Sequence, residues 1–226
     1  MQEKKKKMKL FYSPRKYTAE SKQEAIRALT EQSVPDRDFY ILVIGAILLA
    51  ICGIFLDSIP VLVASMIVAP LATPILAFSL GAVAGDLRLM ARSAAMLCAA
   101  VLLVFILAVP LSLVMTGTAG IGLARVFITF LPNYFFDLAI ALLSGAIAAY
   151  GLMRPRVGAA MTGIGIAVSL MPPLVGAGIE AALLNTNFAI GAGIVFLLNV
   201  AGILAGSSAV FALFGFRGIY RRMLLA

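Results

Sequence analysis

The chain of 226 residues contains no histidine, only two cysteines and few charged residues. Without histidine there is no Ser-His or Cys-His nucleophile pair, no HExxH zinc site and no imidazole proton relay. Cys52 and Cys98 stand alone in apolar runs without CxxC spacing, which indicates neither a zinc site nor a disulfide framework. A phosphate-binding GxxxxGK[ST] loop is also missing. The sequence therefore predicts that the chain is not an enzyme and binds no metal or cofactor.

Charged residues make up 12% of the chain, against about 25% in soluble domains, and 62% of the residues are hydrophobic. The mean hydropathy is +1.07. This composition predicts an integral membrane protein that contacts the lipid bilayer. The net charge of +8 favours membrane orientation over nucleic-acid binding, because ten of the eighteen Lys and Arg residues precede Tyr40.

Six apolar segments are long enough to span a bilayer, which takes about 20 residues each. They cover residues 39–56, 60–84, 93–116, 136–153, 157–183 and 188–214. If the N-terminus is cytoplasmic and the chain crosses six times, seventeen of the eighteen basic residues lie on the cytoplasmic side and only Arg125 lies on the external side. The sequence thus predicts a multi-pass protein of the cell (inner or plasma) membrane with both termini in the cytoplasm. The longest connection, 117–134, is apolar enough to lie in the interface or partly re-enter.

Three regions follow from this pattern. They are a basic cytoplasmic arm (1–38), the six-helix membrane domain (39–216) and a basic cytoplasmic tail (217–226). Within the arm, "SKQE" from Ser21 to Glu24 is typical of a capping box and predicts an amphipathic helix over 18–33. This helix either lies at the lipid headgroups or is a solvated connector. The first long apolar core starts near Phe39, so no cleaved leader is expected.

The second and fifth segments each carry prolines near their middle. "SMIVAPLATPI" contains Pro70 and Pro74, and "VSLMPPLVGAG" contains Pro172 and Pro173. Proline in a helix interior costs roughly 3 kcal/mol and frees a carbonyl, which in lipid must meet protein or a wet cavity. The alternative is a simple kink whose freed carbonyl is satisfied by a neighbouring Ser or Thr.

The two interruptions occupy matching positions in the two halves of the chain. Aligning Pro70–Leu71 with Pro173–Leu174 gives an offset of 103 residues, which places the first three spans on the last three. Because each half crosses three times, the second half enters the membrane the opposite way round. The sequence predicts an all-α fold of two inverted three-helix repeats with Pro-broken second helices, a pattern that brackets the binding site in secondary transporters.

Polar side chains at a similar depth complete the predicted site. Asn199 lies near the middle of the sixth span, where its amide acts either as glue between helices or as part of the site lining. Asp137 and Glu180 are candidates for ion coupling, although carboxylates this close to helix ends are usually solvated. Of the two, Glu180 is expected to be partly buried, because it lies roughly two turns beyond the double proline. The predicted substrate-binding residues are Ser65, Pro70, Thr73, Pro74, Ser169, Pro172, Pro173 and Asn199.

Small residues recur at intervals typical of helix packing. These are Gly81 with Gly85, Gly202 with Gly206, and the stretch "GAIAAYG" from Gly145 to Gly151. Such spacing lets helices approach closely, either within one chain or between copies of it in a homo-oligomer.

Four motifs, in order, resemble the bacterial and archaeal membrane family named domain of unknown function 389. They are "SMIVAPLATPI", "LPNYFFDLAIALLSG", "GIAVSLMPPLVGAGI" and "FLLNVAGI", and the similarity extends over Asp36 to Phe216. The resemblance implies a multi-pass cell-membrane protein and carries no established activity. The matching positions are Ser65, Met66, Pro70, Pro74, Asn133, Asp137, Gly145, Pro172, Pro173 and Asn199.

Two functions follow as hypotheses. The first is a small-solute or ion transporter or channel with a midplane site between spans two and five. The second is a non-transporting scaffold or accessory subunit that acts through its helix interfaces. A membrane enzyme is the least favoured, because histidine and catalytic spacings are missing.

Overall fold

The computed structural model describes residues 19–119, 133–153 and 170–217. Within these ranges the chain is all-helical, as predicted, and forms eight α-helices without a strand. They are α1 (Ala19–Gln32), α2 (Arg37–Phe55), α3 (Ile59–Val68), α4 (Ala72–Ala84), α5 (Leu87–Ala119), α6 (Tyr134–Leu152), α7 (Met171–Ala182) and α8 (Thr186–Leu213).

Four of the described helices, α2, α5, α6 and α8, are long and apolar enough to cross a membrane. The bent pair α3–α4 makes a fifth candidate if it is counted as one span. These bounds lie within six residues of the predicted spans. The predicted span 157–183 is described only from Leu170 onward, and the connection 117–134 lies largely outside the described residues. The length and apolar character of these helices indicate a membrane protein.

Three tight turns join successive helices with the same backbone geometry. The turn residues Asp57, Gly85 and Leu184 have φ angles of 50°, 84° and 60°. In each turn the next N–H donates to a carbonyl five residues earlier, which closes the end of the preceding helix. Gly85 is therefore a turn residue and not the packing residue that its spacing from Gly81 predicted. Gly81 does pack closely, because a Cβ added there would lie 2.9 Å from Cγ of Met90.

The most extensive helix pairing joins α6 to α8, and the two helices run parallel. Close contacts pair Ala141 with Gly202, Gly145 with Ile203, Ala146 with Gly206 and Tyr150 with Phe214. The residue numbers rise together on both helices, which is what a parallel arrangement requires. The small residues predicted on these two segments are thus used within the chain.

The helices that follow the interruptions, α4 and α7, occupy the interior of the bundle. Each of them packs against both α5 and α8. Nine of the twelve residues of α7 are buried, so this helix has almost no outward face. Between α4 and α8, the hydroxyl of Ser207 donates to Oγ of Ser79 across 2.6 Å, and both side chains are fully buried.

The N-terminal helix α1 docks on the membrane domain. Its buried residues Ala25 and Leu29 lie on the face that packs toward α4. Lys22 Nζ donates to the carbonyl of Gly215 across 3.1 Å and lies 5.6 Å from the ring centroid of Phe216. Protein covers the apolar residues Ala25 and Leu29 of α1. The start of the described chain and the end of α8 therefore lie at the same end of the bundle.

We expect the Ser79–Ser207 hydrogen bond to couple α4 to α8 measurably but weakly. Hydroxyl pairs between membrane helices contribute about 0.6 kcal/mol on average and up to about 1.7 kcal/mol. A double-mutant cycle with Ser79→Ala and Ser207→Ala, read from thermal unfolding in detergent, should return a coupling free energy in that range. The pair Ser112→Ala and Ser207→Ala provides the control, because no hydrogen bond joins those two side chains and their effects should add.

Candidate functional site

The first interruption is a three-residue break, Ala69–Leu71, between α3 and α4. The residue before a proline is pushed out of the helical region, and Ala69, which precedes Pro70, is extended at φ −65° and ψ 120°. The N–H of Ala69 still donates to Ser65 at 3.1 Å, which is the last bond of α3. Pro70 has no N–H, so the chain restarts as a helix only at Ala72. The axes of α3 and α4 differ by 49°.

The other three prolines of the predicted site occupy the first turns of helices, whereas Pro110 lies inside α5. Pro74 is the third residue of α4, and Pro172 and Pro173 are the second and third residues of α7. The first N–H groups of a helix have no intrahelical partner, so proline is tolerated there. The prolines therefore fix where each interior helix begins.

Neither interior helix receives a side-chain cap from its own N-cap residue. These residues are Leu71 for α4 and Leu170 for α7, and neither makes a side-chain cap hydrogen bond. Both starts are also buried, since Leu71 is 1% and Leu170 0% exposed. Neither helix start therefore has the Ser, Asp or Asn side-chain cap that helices usually have.

The predicted polar residues lie in different surroundings. Ser65 is fully buried and donates to the carbonyl of Leu62 across 2.6 Å. Thr73 is half-buried in the first turn of α4. Asn199 is 4% exposed and lies 13 residues after the start of α8 and 14 before its end, at the centre of the helix. Ser169 lies outside the described residues.

The helix α8 brings Asn199 to the two interior helices. It packs on both α4 and α7, while α7 also contacts α2 and α3. Within the described ranges, α4 and α7 make at most marginal contact with each other. The interior helices α4 and α7 are therefore grouped around α8 and α5, whereas Ser65 lies on α3, which packs on α2 and α7.

The two candidate carboxylates differ sharply in their environment. Asp137 is half-buried in the first turn of α6, where the helix dipole favours a negative charge. Glu180 is 0% exposed in the last turn of α7. Among the described residues no hydrogen-bond partner meets either oxygen of its carboxylate, although the side chain of Asn185 is a polar neighbour. A solvated position at a helix end, the usual expectation, is wrong for Glu180.

Several buried polar residues were not predicted from the sequence. Ser79 and Ser207 form the hydroxyl pair between α4 and α8, and Ser93 is 1% exposed with no partner for its hydroxyl among the described residues. Asp86 accepts from the N–H groups of Arg88 and Leu89 at 3.0 Å each and so caps α5. Each of these serines stands alone in an apolar run, and this isolation is the sequence feature that marks it as a candidate for burial. A helix that is apolar on all sides, however, does not show in its sequence which side faces the interior of the protein.

No group of three His, Cys, Asp or Glu residues within the described ranges is placed to hold a metal ion. The polar elements that the structure brings into the interior of the described part are thus helix ends, hydroxyls, the amide of Asn199 and the carboxylates of Asp86 and Glu180. Such groups offer hydrogen bonds and partial charges.

Comparisons with known proteins identify the family of the chain. The chain is similar to "Uncharacterized protein MJ0678" of Methanocaldococcus jannaschii, with 29% identity over 176 residues. The matched part is 77% of this chain and 53% of that protein, so the chain spans about half the length of this curated relative. No solved structure matches the chain. The family model described as "Domain of unknown function (DUF389)" matches residues 66–205, a range that includes the break at Pro70, the start of α7 and Asn199. The chain therefore belongs to the family Domain of unknown function (DUF389), as its four motifs predicted.

Proposed function

We propose that this protein is a transporter or channel for a small solute or ion in the cell (inner or plasma) membrane. Its site would lie at the bilayer midplane between the interrupted pair α3–α4 and the start of α7, with Asn199 contributing. The observation that carries this proposal is the buried break at Ala69–Leu71, where main-chain polar groups lack their helical partners. Main-chain groups at membrane depth persist only where protein or a wet cavity meets them.

Helix lengths support a midplane position. At 1.5 Å per residue, the twelve residues of α7 rise about 18 Å, just over half of a hydrocarbon core of about 30 Å. A helix of this length that ends at the membrane surface starts near the centre. The ten residues of α3 and the thirteen of α4 likewise place their break near the middle of one crossing. Asn199, at the centre of α8, shares this depth.

The parallel pairing of α6 with α8 supports six crossings. Because the two helices run the same way, the chain from Met153 to Thr186 must return across the membrane before α8 begins. The only described helix in that stretch is α7, so the predicted span 157–183 supplies the return. The contact of Lys22 with Gly215 puts both ends of the described chain on one side, which requires an even number of crossings. We propose that this side is cytoplasmic, in line with the positive charges.

The helix bounds support an inverted repeat, with a corrected register. The starts of α4 and α7 are 99 residues apart, as are the starts of α5 and α8, whereas the aligned dipeptides gave 103. With an offset of 99, Pro74 corresponds to Pro173, and each is the third residue of its helix. The packing corresponds as well, since α4 and α7 both pack on α5 and α8. If α4 is exchanged with α7 and α5 with α8, the same pairs of helices are in contact.

The chemistry of the site follows from helix ends. The starts of α4 and α7 offer N–H groups and partial positive charge to an anionic or polar group, and the end of α3 offers carbonyl oxygens to a cation. A polar solute with both kinds of group, or an ion of either sign, fits this description. The proposal includes no catalytic step, no cofactor and no nucleic-acid partner. Self-association is compatible with it.

Reconstitution tests the proposal directly. We expect purified protein in liposomes to raise the uptake of at least one member of a panel of labelled ions and small polar metabolites at least tenfold over empty vesicles. Asn199→Leu, which removes the central amide, should reduce that uptake at least tenfold, because the polar lining is lost while the volume is nearly kept. The variant Ile190→Leu is a matched control, since Ile190 is an exposed apolar residue of the same helix.

A non-transporting scaffold is the alternative function. Its main support was the set of small-residue faces, and the structure uses the faces around Gly145, Gly202 and Gly206 between α6 and α8 of one chain. Absence of uptake for the whole panel, together with a membrane partner recovered in fixed stoichiometry, would favour the scaffold.

A further inference from the structure

The side chain of Glu180 lies in the interior of the bundle. It is fully buried two residues before the end of α7, on the helix with the most enclosed surroundings of the described chain. Two residues earlier, on the other side of the helix, a Cβ added at Gly178 would lie 3.0 Å from Cβ of Ala108 and within 4.0 Å of Phe105 on α5, whereas a Cβ at Gly176, one turn before Glu180, would meet nothing within 4 Å. The neighbours that the structure gives this part of α7 are thus apolar.

The described helices that pack on α7 bring no positive charge to Glu180. These helices are α2, α3, α5 and α8, and neither α3 nor α8 contains a titratable or charged residue. On α5, Arg92 precedes Ala108 by sixteen residues, or about 24 Å along the helix, and Arg88 is farther away. On α2, Arg37, Asp38 and Tyr40 lie in the first turn, next to α1 and at the other end of the bundle.

Three further groups lie at the same end of the bundle as Glu180, and the first, Asp57 in the turn after α2, is exposed and carries a negative charge. Cys52 is in the last turn of α2, but its side chain is exposed. Asn185, in the turn after α7, is a polar neighbour that is itself neutral. The carboxyl group of Glu180 therefore has no described countercharge.

An ionised carboxylate is unfavourable in this place for two physical reasons. Burial of an unpaired charge in an apolar interior costs far more than burial of the neutral acid. The C-terminal end of a helix also carries partial negative charge, which repels an anion in the last turn. A dehydrated metal cation would need several oxygen ligands at once, and the described residues around Glu180 do not supply them.

We infer that Glu180 is a proton-binding site, occupied as the neutral acid when α7 is packed as described, and that the proton is the coupling ion of the proposed transport. The assignment of the proton as the coupling ion rests on the proposed function, whereas the proton-binding site itself does not. When water reaches the end of α7, the O–H bond of the acid breaks, the proton passes to that water, and the carboxylate remains. Asp137 lies half-exposed in the first turn of α6 and is not part of this site.

Infrared spectroscopy of the protein in lipid tests the proton site without any transported solute. At pH 7 the wild-type protein should show the carbonyl stretch of a protonated carboxylic acid, and Glu180→Gln should remove that band. Asp137→Asn should leave the band in place. The absence of the band from the wild-type protein, or its survival in Glu180→Gln, would overturn the inference.

A second measurement separates this inference from the proposed function. In liposomes that hold a pH-sensitive dye, an imposed pH gradient should drive uptake of the transported solute at least tenfold over the rate at equal pH, and Glu180→Gln should abolish that stimulation. If the infrared band of the acid is present but no solute is taken up, the proton site is supported and the transport proposal is contradicted. If the rate of uptake does not depend on the pH gradient, or if it depends on a sodium gradient instead, proton coupling is contradicted.

Discussion

Replacement of Gly206 or Gly145 by alanine is expected to destabilise the protein by about 3 kcal/mol each, because α6 and α8 touch backbone to backbone at these positions. A Cβ at Gly206 would collide with the carbonyl oxygen of Leu142, and a Cβ at Gly145 with that of Ile203. Neither neighbour is a flexible side chain that can turn away, so the two helices must separate. For a chain of this size the loss corresponds to a fall of roughly 6–12 °C in the melting temperature, measured by thermal unfolding in detergent.

The matched control for these variants is Gly191→Ala on the same helix. A Cβ at Gly191 meets nothing within 4 Å, and alanine has a helix propensity about 1 kcal/mol better than that of glycine. This variant should melt at or above the wild-type temperature. Because Gly145 and Gly206 line one interface, the free energy of unfolding of the double variant should fall by less than the sum of the two single effects. Equal melting of Gly206→Ala and Gly191→Ala would contradict the close pairing of α6 with α8.

Helix positions were predictable from the sequence because the bilayer imposes a length. An apolar run bounded by charge or by turn residues has to cover about 30 Å, and this requirement located α2, α5, α6 and α8 to within six residues. The break between α3 and α4 was predictable for a local reason. Pro70 lacks an N–H and holds Ala69 in an extended conformation, whatever surrounds it.

The register of the proposed repeat was not predictable from identical dipeptides. Pro70–Leu71 and Pro173–Leu174 have the same letters, but Pro70 lies before a helix and Pro173 lies inside the first turn of one. The physical equivalent of Pro173 is Pro74, since both occupy the position where a helix tolerates proline. The difference between 103 and 99 residues amounts to about one helical turn.

Side-chain burial was the least predictable feature of the site. In a soluble helix, polar residues mark the outer face, but a membrane helix is apolar toward lipid and toward its neighbours. The sequence of α7 therefore did not show that Glu180 points inward, and the runs around Ser79 and Ser207 did not show that these hydroxyls face each other. Only the packing of α7 and α4 against α5 and α8 settles these orientations.

The double substitution Pro70→Ala, Pro74→Ala is expected to join α3 and α4 into one straight helix and to abolish transport. Alanine restores both N–H groups and releases Ala69 from its extended conformation, so residues 59–84 can continue as a helix of about 39 Å. The main-chain groups at Ala69–Leu71 would then bond within the helix and be lost to a solute. Uptake of the transported solute should fall at least tenfold, to the level of empty vesicles.

Straightening is measured independently of uptake by pulsed electron paramagnetic resonance. Spin labels at Ile59 and Leu87, which are 62% and 76% exposed, should move farther apart as the 49° bend disappears. Pro60→Ala is the matched control, because Pro60 is the second residue of α3 and maintains no break; its distance and uptake should equal those of the wild type. A protein that straightens yet keeps its full uptake would show that the solute does not use the main-chain groups of the break. The site would then have to be built from side chains of α7 and α8 alone.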